Sequence, residues 1–297
     1  MKILQGGVPK CGNFWLWQII QQILKLSDHD HTSYIEKQPI YNLARTWDLN
    51  FPEQARIDVI DITDLQVSHR ISSIYRMPIE NMPQYLAQTN HVWTHSPICK
   101  RSADVFKHFN KKVYIIRDPR DRAISASKYY TSLYMLKYFP QEEKDPQSFL
   151  NKNLEKLMHE WVWHVWDHLR MSKTHNIHFL FFEGLKTNFQ QELQGLLDYL
   201  EIDLTKNQKL FIEDAVSFST LKKQNPKHLK TGKFGYWKEH LNDTQLSTTL
   251  KIVNPLLNFL GYPEDDTPTT VPPLNATMQE IASLKEKLIY SQQFLYS

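Results

Sequence analysis

Apolar residues fall along this chain in short runs separated by stretches of helical period. Residues 3–8 form one such run through Gly6-Gly7, and from Phe14 to Leu26 the apolar positions recur at helical spacing (Phe14, Trp17, Ile20, Leu24), which predicts strand, loop, helix. Further runs at 91–94, 112–116 and 177–182 are each followed by a helical-looking segment, of which 150–171 is the longest. Strands alternating with helices predict an α/β fold, a mostly parallel sheet flanked by helices on both faces, with ligands bound beyond the carboxyl ends of the strands. Residues 27–90 have no clean period and read as a variable cap over that site. The stretch GYPEDDTPTTVPPLN (261–275) has the proline and threonine density of an extended linker. The expected organisation is therefore a domain over 1–262, a linker over 263–275 and a C-terminal helix over 276–297. In that helix Met278, Ile281, Leu284, Leu288 and Leu295 share a three-four spacing, over too few heptads for a coiled coil. The helix is expected to dock on the domain or to mediate association.

Composition narrows the function classes. At 297 residues and 41% hydrophobic content, the chain can bury the core of one large domain. A net charge of +3 is far from the clustered excess of a dedicated nucleic-acid binder, so no nucleic-acid partner is expected. Without an apolar run of ~18 residues or a signal-peptide pattern after Met1-Lys2, no membrane partner is expected and a cytoplasmic location is. Two cysteines, Cys11 and Cys99, are too few for a disulfide framework. Cys11 is either a packing residue or a thiol activated by a helix N-terminus.

Four segments carry candidate chemistry. GGVPKCGNFWLW (6–17) has the glycine gap of a nucleotide-triphosphate loop, but Lys10 sits between the glycines and Asn13-Phe14 stands where Lys-Ser/Thr would grip phosphate and magnesium. Backbone N–H groups from Lys10 to Trp15, entering a helix, make either an anion site or an ordinary strand-to-helix turn. VYIIRDPRDRAISASKYY (113–130) sets Arg117 at a strand end and Ser125 two turns into a helix, suited to a phosphate unless Arg117 and Asp121 form a structural ion pair. HLKTGKFGYWKEHL (228–241) is a basic, glycine-containing loop, and in HVWTHSP (91–97) His95 leaves a strand where a histidine can take a proton near neutral pH.

In this order the segments resemble the PAPS-dependent sulfotransferases, of the cytosolic type and their bacterial small-molecule relatives; PAPS is 3′-phosphoadenosine 5′-phosphosulfate. Pro9-Lys10-Cys11-Gly12-Asn13-Phe14-Trp15 is similar to that family's Pro-Lys-Ser-Gly-Thr-Thr-Trp, and Thr94-His95-Ser96-Pro97 to its Thr-His-x-Pro. Arg117 and Ser125 have the eight-residue spacing of its 3′-phosphate pair, and 230–238 resembles its Arg-Lys-Gly-x-x-Gly-x-Trp-Lys. The resemblance spans residues 3–260. It implies the sulfotransferase fold, PAPS as co-substrate, PAP (3′,5′-adenosine bisphosphate) as product, no metal requirement and a small-molecule acceptor. It further implies His95 as base and Lys10 on the leaving oxygen. The donor would be held by Lys10, Cys11, Gly12, Asn13, Phe14, Trp15, Arg117, Ser125, Phe182, Phe218, Lys230, Thr231 and Gly232, with Trp15 and Phe218 sandwiching adenine.

Departures are equally visible. Asn13 and Phe14 replace two threonines, which removes hydroxyl contacts to the 5′-phosphate; Phe182 stands for a tyrosine, and Trp93 occupies the place of a lysine and would line the acceptor pocket. Asp58, Asp61 and Asp64 recur every three residues, forming either a solvated face or a negative face for a cationic acceptor. Bacterial relatives tailor natural products, saxitoxin among them, so such an alkaloid stands beside phenols, alcohols and sugars as acceptor. The competing readings are a P-loop kinase or NTPase, with Asp118 as magnesium ligand, and a non-catalytic nucleotide-binding scaffold. A metal site at His159, His164 and His168 fails the His-Glu-x-x-His spacing by one residue and reads as helix packing.

Overall fold

The computed structural model describes residues 1–27, 29, 31–224, 234–266 and 276–295. A seven-stranded sheet in the order β4-β3-β2-β5-β1-β6-β7 forms its centre. The strands are β1 (Ile3–Gly6), β2 (Val59–Ile62), β3 (Val67–Ile71), β4 (Tyr75–Pro78), β5 (His91–Thr94), β6 (Lys111–Ile116) and β7 (Ile177–Phe181). The helices are α1 (Asn13–Leu26), α2 (Ile40–Ala44), α3 (Met82–Leu86), α4 (Ser102–Phe106), α5 (Pro119–Tyr130), α6 (Leu133–Tyr138), α7 (Pro146–His175), α8 (Phe182–Thr187), α9 (Phe189–Leu200), α10 (Lys206–Ala215), α11 (Phe218–Gln224), α12 (Asp243–Phe259) and α13 (Met278–Leu295).

The parallel α/β prediction holds for β2, β5, β1, β6 and β7, while β3 and β4 add an antiparallel edge. The cap expected over 27–90 thus contains three strands of the sheet. Their polar positions hid them: Asp61, Arg70 and Arg76 interrupt four- and five-residue strands that carry charge on one face.

Helix α7 organises the core. Asp145 caps its start by accepting from the Gln147 and Ser148 N–H groups, Pro146 supplies a preset φ, and Asn176 ends it in a left-handed conformation. Its buried face, including Leu154, Met158, Trp161, Val165 and Leu169, packs on α5, α12 and α13. The C-terminal helix α13 docks on the domain: Ile281, Leu284 and Leu288 are buried, and Trp166 Nε1 donates to the Ile281 carbonyl at 3.3 Å. Of the linker expected over 263–275, residues 263–266 lie among the described residues. Buried Arg120 donates to the carbonyls of Pro263 (2.9 Å), Glu264 and Asp266 (3.3 Å), tying this stretch to α5; 267–275 lie outside the described residues.

Strand register positions the site. Gly6 pairs with both Thr94 and Tyr114, so Gly7 and His95 emerge side by side from β1 and β5. Ile116 pairs with Phe181, so Arg117 emerges beside Phe182.

Candidate active site

The loop between β1 and α1 is a tight turn. Lys10 and Gly12 both adopt positive φ (74° and 98°), and a Cβ on Gly12 would lie 2.6 Å from the Phe182 ring, so only glycine fits there. The ladder of α1 begins with the Leu16 N–H on the Gly12 carbonyl at 3.0 Å, so the preceding N–H groups point along the axis of the helix N-terminus. Asn13 braces this turn: its Nδ2 donates to the Val8 carbonyl (2.8 Å), while its own carbonyl accepts from Gln5 Nε2 (2.7 Å).

These strand ends open on a cavity of about 840 Å³ lined by Lys10, His95, Arg117, Ser125, Phe182 and Phe218 among others. At one end Trp15, Phe182 and Phe218 form an aromatic cradle. Trp15 is fixed by its Nε1 donating to the Val216 carbonyl (2.9 Å) and meets Phe182 edge-on with centroids 5.6 Å apart. Arg117 lies over the Phe182 ring at 4.4 Å and donates to the Lys10 carbonyl at 3.2 Å. Its distance to Asp121 is 4.0 Å, while that carboxylate accepts from the Gly235 and Trp237 N–H groups at 2.7 and 2.9 Å. Asp121 therefore anchors the turn into the 236–239 segment rather than neutralising Arg117 in a tight pair.

The electrostatics at this end favour an anion. Burial, then the Arg117 charge, pushes the Lys10 ammonium down to about 8, and the same two causes lower Lys186. Lys186 sits 5.5 Å over Trp15 and 5.6 Å over Phe218. Arg117 and Lys186 thus lie over the aromatic cradle with Lys10, whose ammonium sits 4.2 Å over the Tyr129 ring, close enough to feel Arg117, and a bound anion would relieve this repulsion.

His95 lies on the other flank. Its Nδ1 is 2.7 Å from the Gly7 carbonyl, which can only accept, so Nδ1 carries the proton and Nε2 keeps its lone pair. Burial, then Arg70, holds the imidazole down at about 3, opposed by the Gly7 bond. Its backbone carbonyl accepts from His164 Nε2 (3.0 Å), whose Nδ1 accepts from the Tyr114 hydroxyl (2.7 Å). His164 is thereby a structural tether for the β5 end, and His168 donates to the His164 carbonyl at 2.7 Å. Among the described residues there is no group of three His, Cys, Asp or Glu arranged to hold a metal.

Several expected contacts are redistributed. Cys11 turns its thiol into the core, where burial raises it to about 12, and gives its N–H to the Val8 carbonyl at 3.2 Å; it shapes the loop and is no reactive nucleophile. Asn13 is a loop brace. Phe14 packs with Phe51 (4.7 Å), Trp17, Ile57 and Trp93, in an apolar wall distinct from the Trp15 cradle. Ser125 lines the cavity on α5. Lys230, Thr231 and Gly232 lie outside the described residues. The three aspartates share no face: Asp58 is buried and accepts from the Tyr34 and Ile35 N–H groups, Asp64 caps the Lys100 N–H at the surface, and only Asp61 lines the cavity. Asp118, the candidate magnesium ligand of the kinase reading, is fully buried and bound to Arg120 at 2.7 Å. The sequence does not show Lys186 at the cradle or Arg70 beside His95, and His164, weighed there only as a metal ligand, instead holds the His95 carbonyl. A signal existed for Lys186, which falls four residues after Phe182 on the same helix face.

A family model described as the sulfotransferase domain matches residues 2–261. The chain belongs to the PAPS-dependent sulfotransferase family. Sulfotransferase 1A1 of Mus musculus is 24% identical over 229 residues, covering 75% of this chain and 67% of that enzyme. Sulfotransferase 1A1 of Bos taurus is 31% identical over 138 residues, 45% of this chain, and the match spans only 44% of the bovine enzyme. Among solved structures, mouse sulfotransferase SULT7A1 complexed with PAP superposes with a TM-score of 0.59 at 16% identity, covering 97% of this chain and 88% of that one. Retinol dehydratase in a complex with retinol and PAP gives 0.58 at 16% identity, covering 86% and 81%. These two likenesses establish the sulfotransferase fold. No helix among the described residues is long and apolar enough to cross a membrane.

Proposed function

We propose that the protein transfers the sulfuryl group of PAPS to a hydroxyl or amine of a small-molecule acceptor. The observation that carries this reading is the convergence, in one cavity, of an imidazole with a fixed free Nε2 and a cationic, aromatic-lined nucleotide cradle. Bound PAPS would supply the electrophilic sulfuryl group and a bisphosphate leaving group. Residues suited to hold it are Lys10, Gly12 and Trp15 of the first loop, Arg117 and Ser125 toward the 3′-phosphate, Phe182 and Phe218 on the adenine, and Lys186. Lys230, Thr231 and Gly232 join them on the strength of the family motif.

The chemistry asked of the protein is modest. His95 Nε2 takes the acceptor proton while the Gly7 carbonyl stabilises the imidazolium through Nδ1–H. Lys10, cationic below pH 8, stabilises negative charge on the departing oxygen. Phe14, Phe51, Ile57 and Trp93 form the apolar wall against which an acceptor body would pack, which supports a phenol or alcohol. A guanidinium alkaloid such as saxitoxin has less support, because Asp61 is already bonded to Arg70 and Arg76. We assign the catalytic unit to residues 1–262 and treat α13 as an appended helix.

The test is release of PAP from PAPS in the presence of a phenol, alcohol and amine panel, for the wild type and His95→Ala. Acceptor-dependent PAP release that the variant loses, with PAP binding retained, is the expected result. Release unaffected in His95→Ala would remove this residue as base, and a wild type that neither binds PAP nor turns over PAPS would overturn the reading.

A further inference from the structure

The far wall of the cavity carries a charged cluster that the donor site does not use. Arg70 on β3 and Arg76 on β4 are direct cross-strand partners, an arrangement of like charges that ordinarily destabilises a ladder. One carboxylate serves both: Asp61 Oδ1 accepts from Arg70 Nε at 2.9 Å and Oδ2 from Arg76 Nη2 at 2.7 Å. Arg70 Nη1 also donates to the Ser72 carbonyl at 3.1 Å. All three charged side chains line the same cavity as His95, so two guanidinium groups facing one carboxylate leave a surplus positive charge turned toward the acceptor space. Arg70 is near enough to depress the His95 imidazole. In the wall between, the Trp93 indole N–H is buried with no acceptor among the described residues.

We propose that the acceptor is an acid: an apolar body whose hydroxyl meets His95 and whose oxyanion substituent, a carboxylate, sulfate or phosphate, is held by Arg70 and Arg76. Both guanidinium groups present planar donor pairs suited to such an oxyanion. Asp61 then orients the two arginines and keeps the site from being overly cationic when no acceptor is bound. Among the described residues of this wall the one carboxylate, Asp61, is already engaged by both arginines, which disfavours a cationic acceptor. The inference rests on the sulfotransferase reading for the role of His95, but the oxyanion site stands on its own residues.

The experiment titrates PAP-saturated protein with hydroxylated aromatic acids, the methyl ester of each and guanidinium-bearing phenols, and compares kcat/KM for the same compounds with PAPS. At least one acid should be preferred over its ester by tenfold or more. Arg76→Gln, at an exposed position, should cut that preference by about tenfold, and Arg70→Gln should abolish it. Asp61→Asn should raise it severalfold, a gain that a purely structural ion-pair cluster would not produce. The PAP-induced melting shift of each variant reports separately that the nucleotide end is folded. No acid preferred over its ester, a preference for the guanidinium compounds, or a preference that survives both arginine substitutions would overturn the proposal. Should wild-type protein fail to bind PAP, the sulfotransferase reading falls, and the acid-ester comparison run without nucleotide still decides the oxyanion site.

Discussion

Raising the pH from 7 to 9 should weaken PAP binding through one residue, Lys10. Burial and the neighbouring Arg117 hold its ammonium down at about 8 in the ligand-free protein, so it is charged below that pH and neutral above it. A bound phosphate returns it toward the ordinary lysine value of about 10.4. The ligand therefore binds the charged form, and affinity is lost as pH rises through about 8. With those two values, Lys10 is roughly one-tenth deprotonated at pH 7, half at pH 8 and nine-tenths at pH 9, so Kd rises about tenfold between pH 7 and 9, or about 1.4 kcal/mol. Calorimetric titration of PAP in buffers of different ionisation enthalpy reads both quantities: the change in Kd, and uptake of about half a proton per PAP at pH 8. Lys10→Met removes the titrating group and should flatten the profile, which separates its effect from that of Lys186. A wild-type Kd constant from pH 7 to 9, or the same slope in Lys10→Met, would refute the reasoning.

Other perturbations separate the parts of the site. Arg117→Ala removes the guanidinium from the cradle and should weaken PAP by roughly 10- to 100-fold, the range for charge-assisted hydrogen bonds, as measured by the same titration. Gly12→Ala must hold a φ of 98° and bring a Cβ to 2.6 Å from Phe182; it should lose PAP binding and lower the melting temperature. His164→Ala leaves the His95 carbonyl and the Tyr114 hydroxyl without their partner, costing about 1–3 kcal/mol in urea unfolding, with kcat falling more than PAP affinity. Leu284→Ala, on the buried face of the docked α13, should cost about 2–5 kcal/mol and leave PAP affinity unchanged.

What the sequence disclosed follows from how each element is buried. β1, β5 and β6 lie in the parallel centre of the sheet and read as apolar runs, so they and the loops that follow them were legible. β2, β3 and β4 are short, and each spends part of its alternation on a charge turned to the cavity, so no period survived in 59–78. The three-residue recurrence of the aspartates matches neither strand nor helix period, which is why they end in three different environments. Motif order pointed to Lys10, Gly12, Trp15, His95 and Arg117, which line one cavity, because they follow strand ends in fixed local patterns. The far wall of the cavity depends on cross-strand neighbours such as Asp61, Arg70 and Arg76, and on Tyr134 of α6 reaching Ser72, contacts that no local pattern encodes. The thiol of Cys11 shows the limit of a motif: the position was legible, but the direction of its side chain was set by packing.

The central claim, a donor site that reads a 3′-phosphate on adenosine, is tested most directly by thermal unfolding with PAP and, separately, with ADP plus magnesium at equal concentration. PAP at 100 times its Kd should add about 2.7 kcal/mol of stability, without any metal, while ADP with magnesium gives a much smaller shift. A larger response to ADP and magnesium than to PAP, or no response to PAP at all, would contradict the account.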